Sequence, residues 1–451
     1  MNKKDSRFAT GNEPQKIKSS QTIKPFFINS NICMRQEDIS SYKKFMTSIC
    51  GNAGNSYITF AIIKSLFGGL TDIHHIQNIY EYDFNNYEKD INYINKESTH
   101  VFLILQDQIR IKESYGLKLP YKKIIDFISR TNKPIIIAGL GANSFNGFDH
   151  EFYKKLDPNL IYFLKFLSDR CVEIGIRGFY TQEILHKLGI DNTRVIGCPS
   201  FFEAGKNRHI VKQELYDLNS VLITQRKFPF MSENHKIMQD YQEESIIKPI
   251  AFDTIDNTFF LEKLSPFINK TYHIFSDIHS WKTFIKNYKF AIGGRLHGSI
   301  LAINAGIPAL CLSNDSRATE MCEFLKIPHM PDLEITSKND IFKIYDKLNI
   351  MELNKNYPKL YDNFIDFLHT NNLKHFSENK DIFKNVKYIK QPILILYKPQ
   401  FYNKINSITF KLIYVSKYGI NILLKPIKRW RSSINKRACR FIKFIQKYKK
   451  S

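Results

Sequence analysis

The sequence predicts an α/β protein built on parallel sheets. From about residue 41 to 350, short apolar runs bounded by Gly, Pro or Asn recur, and stretches of helical period lie between them. Alternation of strand and helix over that length needs crossover connections, and crossovers join parallel strands. A polar stretch at 203–219 reads as a connector and leaves two halves, each large enough for its own doubly wound sheet.

The expected strands are 101–105, 134–138, 172–176, 221–224, 290–292 and 309–312, each an apolar run of buried type. The expected helices are 58–67, 121–130, 181–188, 281–287 and 299–305, with further helical stretches in 341–375. The domain plan is a loose arm at 1–40, a first Rossmann-like unit at 41–215, a second at 216–345, closing helices at 346–380 and a basic tail at 381–451. The arm assignment rests on its polar, charged opening, MNKKDSRFATGNEPQKIKSSQTIK, where no apolar run follows the basic start as a secretory signal requires.

Composition narrows the class. The chain has 451 residues, 43% hydrophobic and 24% charged, which suits a globular protein. Seven scattered cysteines without a CxxC pair argue against a disulfide framework or a zinc finger. The formal charge of +23 points to an anionic counterpart. Fourteen of the 66 basic residues fall in 401–451, where no Asp or Glu offsets them. Trp430, Ile434, Ala438, Phe441, Ile442 and Ile445 recur there at three- and four-residue steps, so the tail reads as a basic amphipathic helix for an anionic membrane surface. A plain solvated tail is the alternative. No zinc module or RRM-type aromatic signature accompanies the charge, which argues against nucleic acid. No window approaches the apolar length of a spanning helix, so the expected location is the cytoplasm, at or near the inner face of a membrane.

In open α/β sheets, ligands bind at the carboxyl ends of strands. The most informative such loop is Gly293-Gly294-Arg295-Leu296-His297-Gly298-Ser299, expected to open a helix at Gly298-Ser299. A helix N-terminus favours an anion, Arg295 adds a fixed cation, and His297 adds a titratable group. Leu296 between them is expected to pack inward. The alternative is that Arg295 pairs with a carboxylate and His297 caps the loop.

The run GGRLHGSILAINAGIPALCLSNDSRATEMCEFLKIP (293–328) resembles the C-terminal signature of polysaccharide pyruvyl transferases. GNAGNSYITFAIIKSLFG (51–68), KPIIIAGLGANSF (133–145) and VEIGIRGFYTQEILHKLGIDNTRVIGCPSFF (172–202) match other family segments in order. The resemblance implies two Rossmann-like domains of GT-B type facing a cleft. It implies transfer of the enolpyruvyl carbons of phosphoenolpyruvate to two sugar hydroxyls as a cyclic ketal, with release of phosphate. Phosphoenolpyruvate is then a donor substrate, a sugar or glycan is the acceptor, and neither cofactor nor metal is called for.

By resemblance, Arg177 and Arg295 hold the donor's two anionic groups and His297 is the general acid. Arg suits both groups because it binds them bidentately. Alternatives are a structural salt bridge for Arg177 and a phosphate hydrogen bond for His297. Asn52, Gly54 and Asn55 form the first glycine loop. The family often has Asp where Asn55 stands, so Asn55 cannot act there as a base, and a plain N-cap role is the alternative. Gly139, Gly141 and Asn143 are expected along the cleft floor, or as turn residues. Gln106-Asp107-Gln108 departs from the glycines that relatives carry, reshaping the acceptor side or lying at the surface. Asp315 is read as orienting Arg295 or touching the acceptor, with a bridge to Arg317 as the alternative; Glu320 is read as a helix surface residue or a partner of Arg317. Strand–loop–helix order would scatter His273, Asp277 and His279, so they do not read as metal ligands. Cys198 and Cys311 read as buried thiols. Competing readings are a GT-B nucleotide-sugar glycosyltransferase and a non-catalytic, membrane-associated relative.

Overall fold

The computed structural model describes residues 23–393 except 41, 112–118, 145–146, 225–236, 239–271, 274, 314, 332–334, 336 and 379–385. The basic stretch 401–451 thus lies outside the described residues, as does most of the expected arm. The chain clusters into a unit at Met1–Leu396 and a second at Tyr397–Ser451.

The first half supplies β1 (Pro25–Ile28), β2 (His74–Ile76), β3 (His100–Leu103), β4 (Ile109–Arg110), β5 (Ile135–Ile136), β6 (Ala138–Leu140), β7 (Ala142–Asn143), β8 (Ile174–Ile176) and β9 (Thr193–Val195). They pair in the orders β2-β1-β3-β5 and β6-β8-β9, with β4 beside β7. Only Ile137 separates β5 from β6, so one extended run passes from β3 to β8 as its partner. The second half supplies β10 (Val221–Ile223), β11 (Ile237–Met238), β12 (Tyr272–His273), β13 (Phe290–Gly293), β14 (Ala309–Leu312) and β15 (His329–Met330), in the order β12-β11-β10-β13-β14-β15. Every ladder between these strands is parallel, as the strand–helix alternation predicts.

The helices are α1 (Tyr42–Ser48), α2 (Ala53–Phe67), α3 (Glu88–Glu97), α4 (Tyr121–Ser129), α5 (Pro158–Arg170), α6 (Phe179–Lys187), α7 (Ile278–Ile285), α8 (Leu296–Asn304), α9 (Ser316–Leu325), α10 (Lys338–Lys347) and α11 (Met351–Thr370). Among the described residues, no helix is long and apolar enough to cross a membrane.

The expected arm at 1–40 needs correction. Pro25-Phe26-Phe27-Ile28 is a fully buried strand paired with both β2 and β3. The polar residues preceding it hide a four-residue apolar run that is long enough for an inner strand.

Side-chain alternation shows why both sheets are buried twice over. Phe26 and Ile28 of β1, with Val101 and Leu103 of β3, enter one core, whereas Phe27 and Phe102 enter another. Phe290, Ile292, Leu310 and Leu312 face a third core, whereas Ala291, Ala309 and Cys311 join Phe27 and Phe102. One apolar core therefore receives a face from each sheet, together with α2, α8 and residues of α9 and α11. Strands buried on both faces read as unbroken apolar runs, which is what made them visible in the sequence.

A buried polar cluster sits beside that shared core. Glu203, 6% exposed, accepts from Tyr57 Oη of α2 (3.1 Å), and its carboxylate meets Lys64 Nζ of α2 (2.5 Å) and Lys282 Nζ of α7 (2.6 Å). Burial would raise the Glu203 pKa, but Lys282 and Lys64 outweigh it and hold the carboxyl below its ordinary value. Asn304 of α8 donates to Tyr57 Oη (2.6 Å) and to the Ser200 carbonyl (2.7 Å). Arg208 donates to Asn304 Oδ1 (3.2 Å) and lies over the Tyr357 ring of α11, 3.4 Å from its centroid.

Removing Glu203 leaves two lysines half-buried without their carboxylate. Glu203→Ala is expected to cost about 3 kcal/mol, the low end for breaking a buried pair, because both lysines keep some contact with water. Urea denaturation measures this, and a loss below about 1 kcal/mol contradicts a clamping role for the carboxylate.

Candidate functional site

The strand order of the second sheet reverses between β10 and β13, since chain order runs outward from that pair in both directions. Such a switch point opens a crevice at the carboxyl ends of the two strands. The loop leaving β13 there carries Gly294 and Arg295. Both are half-buried, and Arg295 is the N-cap residue of α8. The helix begins at Leu296, earlier than the expected opening at Gly298-Ser299. His297 is consequently a first-turn helical residue instead of a loop residue. Leu296 packs into the shared core at 4% exposure, as its apolar character predicts.

His297 is 6% exposed. Its Nε2 lies 3.6 Å from Cys198 Sγ, and a Cβ placed on Gly54 would fall 2.5 Å from its Nδ1. The ring is thus held between the N-terminus of α2 and the segment after β9. Burial first, then the positive charges of Arg177 and Arg317, push its pKa down to about 3, with Asp107 opposing them. Without a ligand, the ring is neutral at physiological pH.

Arg177 follows β8 and is 2% exposed. Its aliphatic stem fills the space that a side chain at 141 would need: a Cβ on Gly141 would come 2.6 Å from Arg177 Cδ. Its Nε makes no hydrogen bond among the described residues. Burial presses its pKa below the ordinary arginine value, while Cys198 and Asp107 act to raise it. A buried guanidinium nitrogen without a partner is uncommon unless something else arrives to meet it.

Asp107 sits where three arginines act on it. Burial would raise its pKa, but Arg317, Arg110 and Arg177 outweigh that and bring it down to about 2. Asn143 of β7 donates to Asp107 Oδ2 at 3.4 Å. The β4–β7 ladder brings the ends of these two loops together. Gln106 before it holds a left-handed backbone (φ 55°), costly for a residue with a side chain, and its carbonyl accepts from Gly141 N–H (2.7 Å). The 106–108 departure is therefore not a surface loop: Gln106 and Gln108 are buried, and Asp107 brings a carboxylate among the arginines.

The remaining predicted residues divide. Asn52, 5% exposed, is the N-cap of α2 and accepts from Gly54 N–H at 2.9 Å. Asn55 is buried inside the first turn of α2, so the alternative of an N-cap role passes to Asn52. Gly139, with φ of 83°, belongs to the bulged β6. Asp315 caps α9, accepting from Ala318 N–H (2.8 Å), and pairs with Arg317 (3.2 Å), which is the structural bridge kept as its alternative. Asp277 caps α7, accepting from Ser280 N–H at 2.7 Å, and His279 is exposed. Among the described residues, no cluster of His, Cys, Asp or Glu is suited to a metal ion.

Two participants escaped the sequence reading. Cys198 proves to be the neighbour of His297 although the two are 99 positions apart in the chain. Glu320, read as a surface residue or a partner of Arg317, is 2% exposed and bonds to Thr181. Burial raises its pKa to about 7, with Thr181 and Arg177 opposing. Neither contact has a local signal, since both join segments distant in sequence.

Residues 52–316 match the family model described as polysaccharide pyruvyl transferase. No curated protein matches the chain. Among solved structures, the chain is similar to MnaA of S. aureus with UDP at 11% identity and a TM-score of 0.36, covering 84% of this chain and 100% of that one. It is similar to an uncharacterised protein of Klebsiella pneumoniae at 12% identity and a TM-score of 0.32, covering 67% and 88%. It is similar to HepE of Anabaena in complex with UDP and glucose at 10% identity and a TM-score of 0.32, covering 80% and 98%.

The lowered pKa of His297 has a signed consequence. The unfolded ring takes up a proton near 6.5 and the folded one only near 3, so stability falls as pH drops through that window, by up to roughly 1.4 kcal/mol per pH unit. In nitrogen-15 spectra of the ligand-free protein, the His297 ring is expected to stay neutral down to pH 5. A protonation midpoint above 6 contradicts this environment.

Proposed function

This chain belongs to the polysaccharide pyruvyl transferase family, and we propose that it moves the enolpyruvyl group of phosphoenolpyruvate onto a sugar of a cell-surface polysaccharide or a lipid-linked glycan precursor, releasing phosphate. The supporting observation is that Arg177, which follows β8 in the first half of the chain, and His297, which follows β13 in the second, are near enough for the arginine charge to act on the ring. The donor lies in a crevice of GT-B type between the two halves. Its carboxylate and phosphate meet Arg177 and Arg295, with Arg317 adding charge from α9.

The donor's negative charge reverses the balance at His297. An anion beside the ring favours the imidazolium that burial and the arginines disfavour. The charged ring then gives a proton to the enol carbon C3, leaving C2 electrophilic. One sugar hydroxyl adds to C2, and a second displaces phosphate to close the ketal. Of the two hydroxyl protons, one restores His297 and the other leaves with phosphate. Asn52, Gly54, Asn55, Gly139, Gly141, Asn143, Gly294, Leu296 and Asp315 shape or support this crevice. Neither cofactor nor metal is required.

Phosphate release from phosphoenolpyruvate in the presence of candidate glycosides tests the reading. His297→Ala is expected to lower kcat by about 100-fold or more, the usual worth of a general acid. Arg177→Lys is expected chiefly to raise the KM for phosphoenolpyruvate, because a single ammonium cannot replace a bidentate fork. Full turnover by the His297 variant overturns the mechanism. Tighter binding of UDP or GDP than of phosphoenolpyruvate replaces it with a nucleotide-sugar glycosyltransferase. Absence of both binding and turnover makes the chain a non-catalytic relative.

The tail at 401–451 places the enzyme at the cytoplasmic face of an anionic membrane, where a lipid-linked acceptor is reached. Sedimentation with phosphatidylserine-containing vesicles is expected at 50 mM salt and is lost on deleting 401–451. Equal sedimentation with neutral vesicles contradicts it.

A further inference from the structure

We propose that Glu320 is a positioning residue for Arg177: a carboxyl carried by the second half of the chain caps the helix that begins just after that arginine and so fixes where the guanidinium lies. This rests on the donor-binding reading of Arg177 above and adds a residue to that site.

The helix α6 starts with a deficiency. Its N-cap is Gly178, which has no side chain to accept from the free N–H groups of the first turn. Glu320 of α9 supplies that acceptor from outside. Its Oε2 accepts from Thr181 N–H at 2.9 Å, and its Oε1 accepts from the Thr181 hydroxyl at 2.6 Å. The same hydroxyl oxygen accepts from Ala142 N–H at 2.8 Å. Both carboxyl oxygens are thereby committed to one residue, and that residue ties in the chain beside Gly141.

Arg177 is enclosed by these same parts. Gly141, next to Ala142, packs against its Cδ, and Gly178, the next residue along, leaves room for the Glu320 side chain. A Cβ on Gly178 would lie 2.7 Å from Glu320 Oε2, so the cap and the glycine occupy one space. Arg177 N–H donates to the Leu140 carbonyl at 2.9 Å, which leaves its chain position dependent on the 140–142 strand end and on the α6 N-terminus. A second bond of the same kind, from Ser144 N–H to Ser316 Oγ at 2.9 Å, joins the first turn of α9 to the loop after β7. α9 thus braces both segments that hold the arginine.

Chemical labelling of Arg177 with phenylglyoxal, read by mass spectrometry on the full chain, tests this without any substrate. In the wild type, a 2% exposed guanidinium should react slowly. Glu320→Ala is expected to speed it at least fivefold, and Glu320→Gln, which still accepts from Thr181 N–H and can donate to its hydroxyl, should restore most of the protection. Arg208, buried in the cluster around Glu203, is the control. Unchanged Arg177 labelling, or equal acceleration at Arg208, overturns the inference.

Calorimetric titration with phosphoenolpyruvate adds the functional arm. Glu320→Ala should weaken binding about tenfold in the wild-type background and less than twofold in Arg177→Ala, since the effect passes through that arginine. Equal weakening in both backgrounds also overturns the positioning role. A wild-type protein that binds no phosphoenolpyruvate defeats the donor reading instead, and the labelling alone then decides the role of Glu320.

Discussion

A guanidinium that is 2% exposed has to be matched by negative charge and fitted by its neighbours, and Arg177 imposes both demands. Burying an unmatched charge costs several kcal/mol, so Asp107 and Glu320, drawn from separate elements, lie within its field. Its stem excludes a side chain at Gly141, and the chain just beyond it admits none at Gly178. Loops after β3, β6 and β8 and the helix α9 are placed by the same requirement. The site is therefore held together by an electrostatic balance.

That balance leaves the ligand-free protein poised unfavourably for acid chemistry. Burial first, and then the charges of Arg177 and Arg317, hold the His297 ring neutral, and an anion beside it would favour the imidazolium. A resident positive field without enough negative charge suits an anion. Asp107 and the capped Glu320 moderate that field without cancelling it. Behind the site, the core shared by both sheets and the carboxylate of Glu203 give the loops a stiff foundation. Preorganisation of this kind is what turns neighbouring charges into a binding site.

Much of the scaffold was legible. The runs at 290–292 and 309–312 became β13 and β14 because strands buried on both faces carry no polar interruption. Gly306, with a left-handed backbone (φ 85°), ends α8 just past its C-cap at Ala305, as glycine favours there. The start of α4 at Tyr121 agrees with the sequence, whereas α2, α6, α7 and α8 begin two to five residues earlier than expected. At α8, Arg295 and not Gly298 stands at the boundary, because an N-cap is decided by backbone angles that Gly-rich sequence leaves open. β1 was missed since four apolar residues after a long polar stretch give little periodicity to count.

The sequence carries the parallel α/β class and the glycine loops through apolar runs and glycines, points to Arg295 and His297 through the Arg-Leu-His triplet at a strand end, and points to Arg177 through the family resemblance. Tertiary structure alone decided that Cys198 flanks His297, that Asp107 lies among three arginines, and that Glu320 is buried against Thr181. Charge and burial at those positions are set by side chains from segments remote in the chain, and no local pattern records which remote segments will meet.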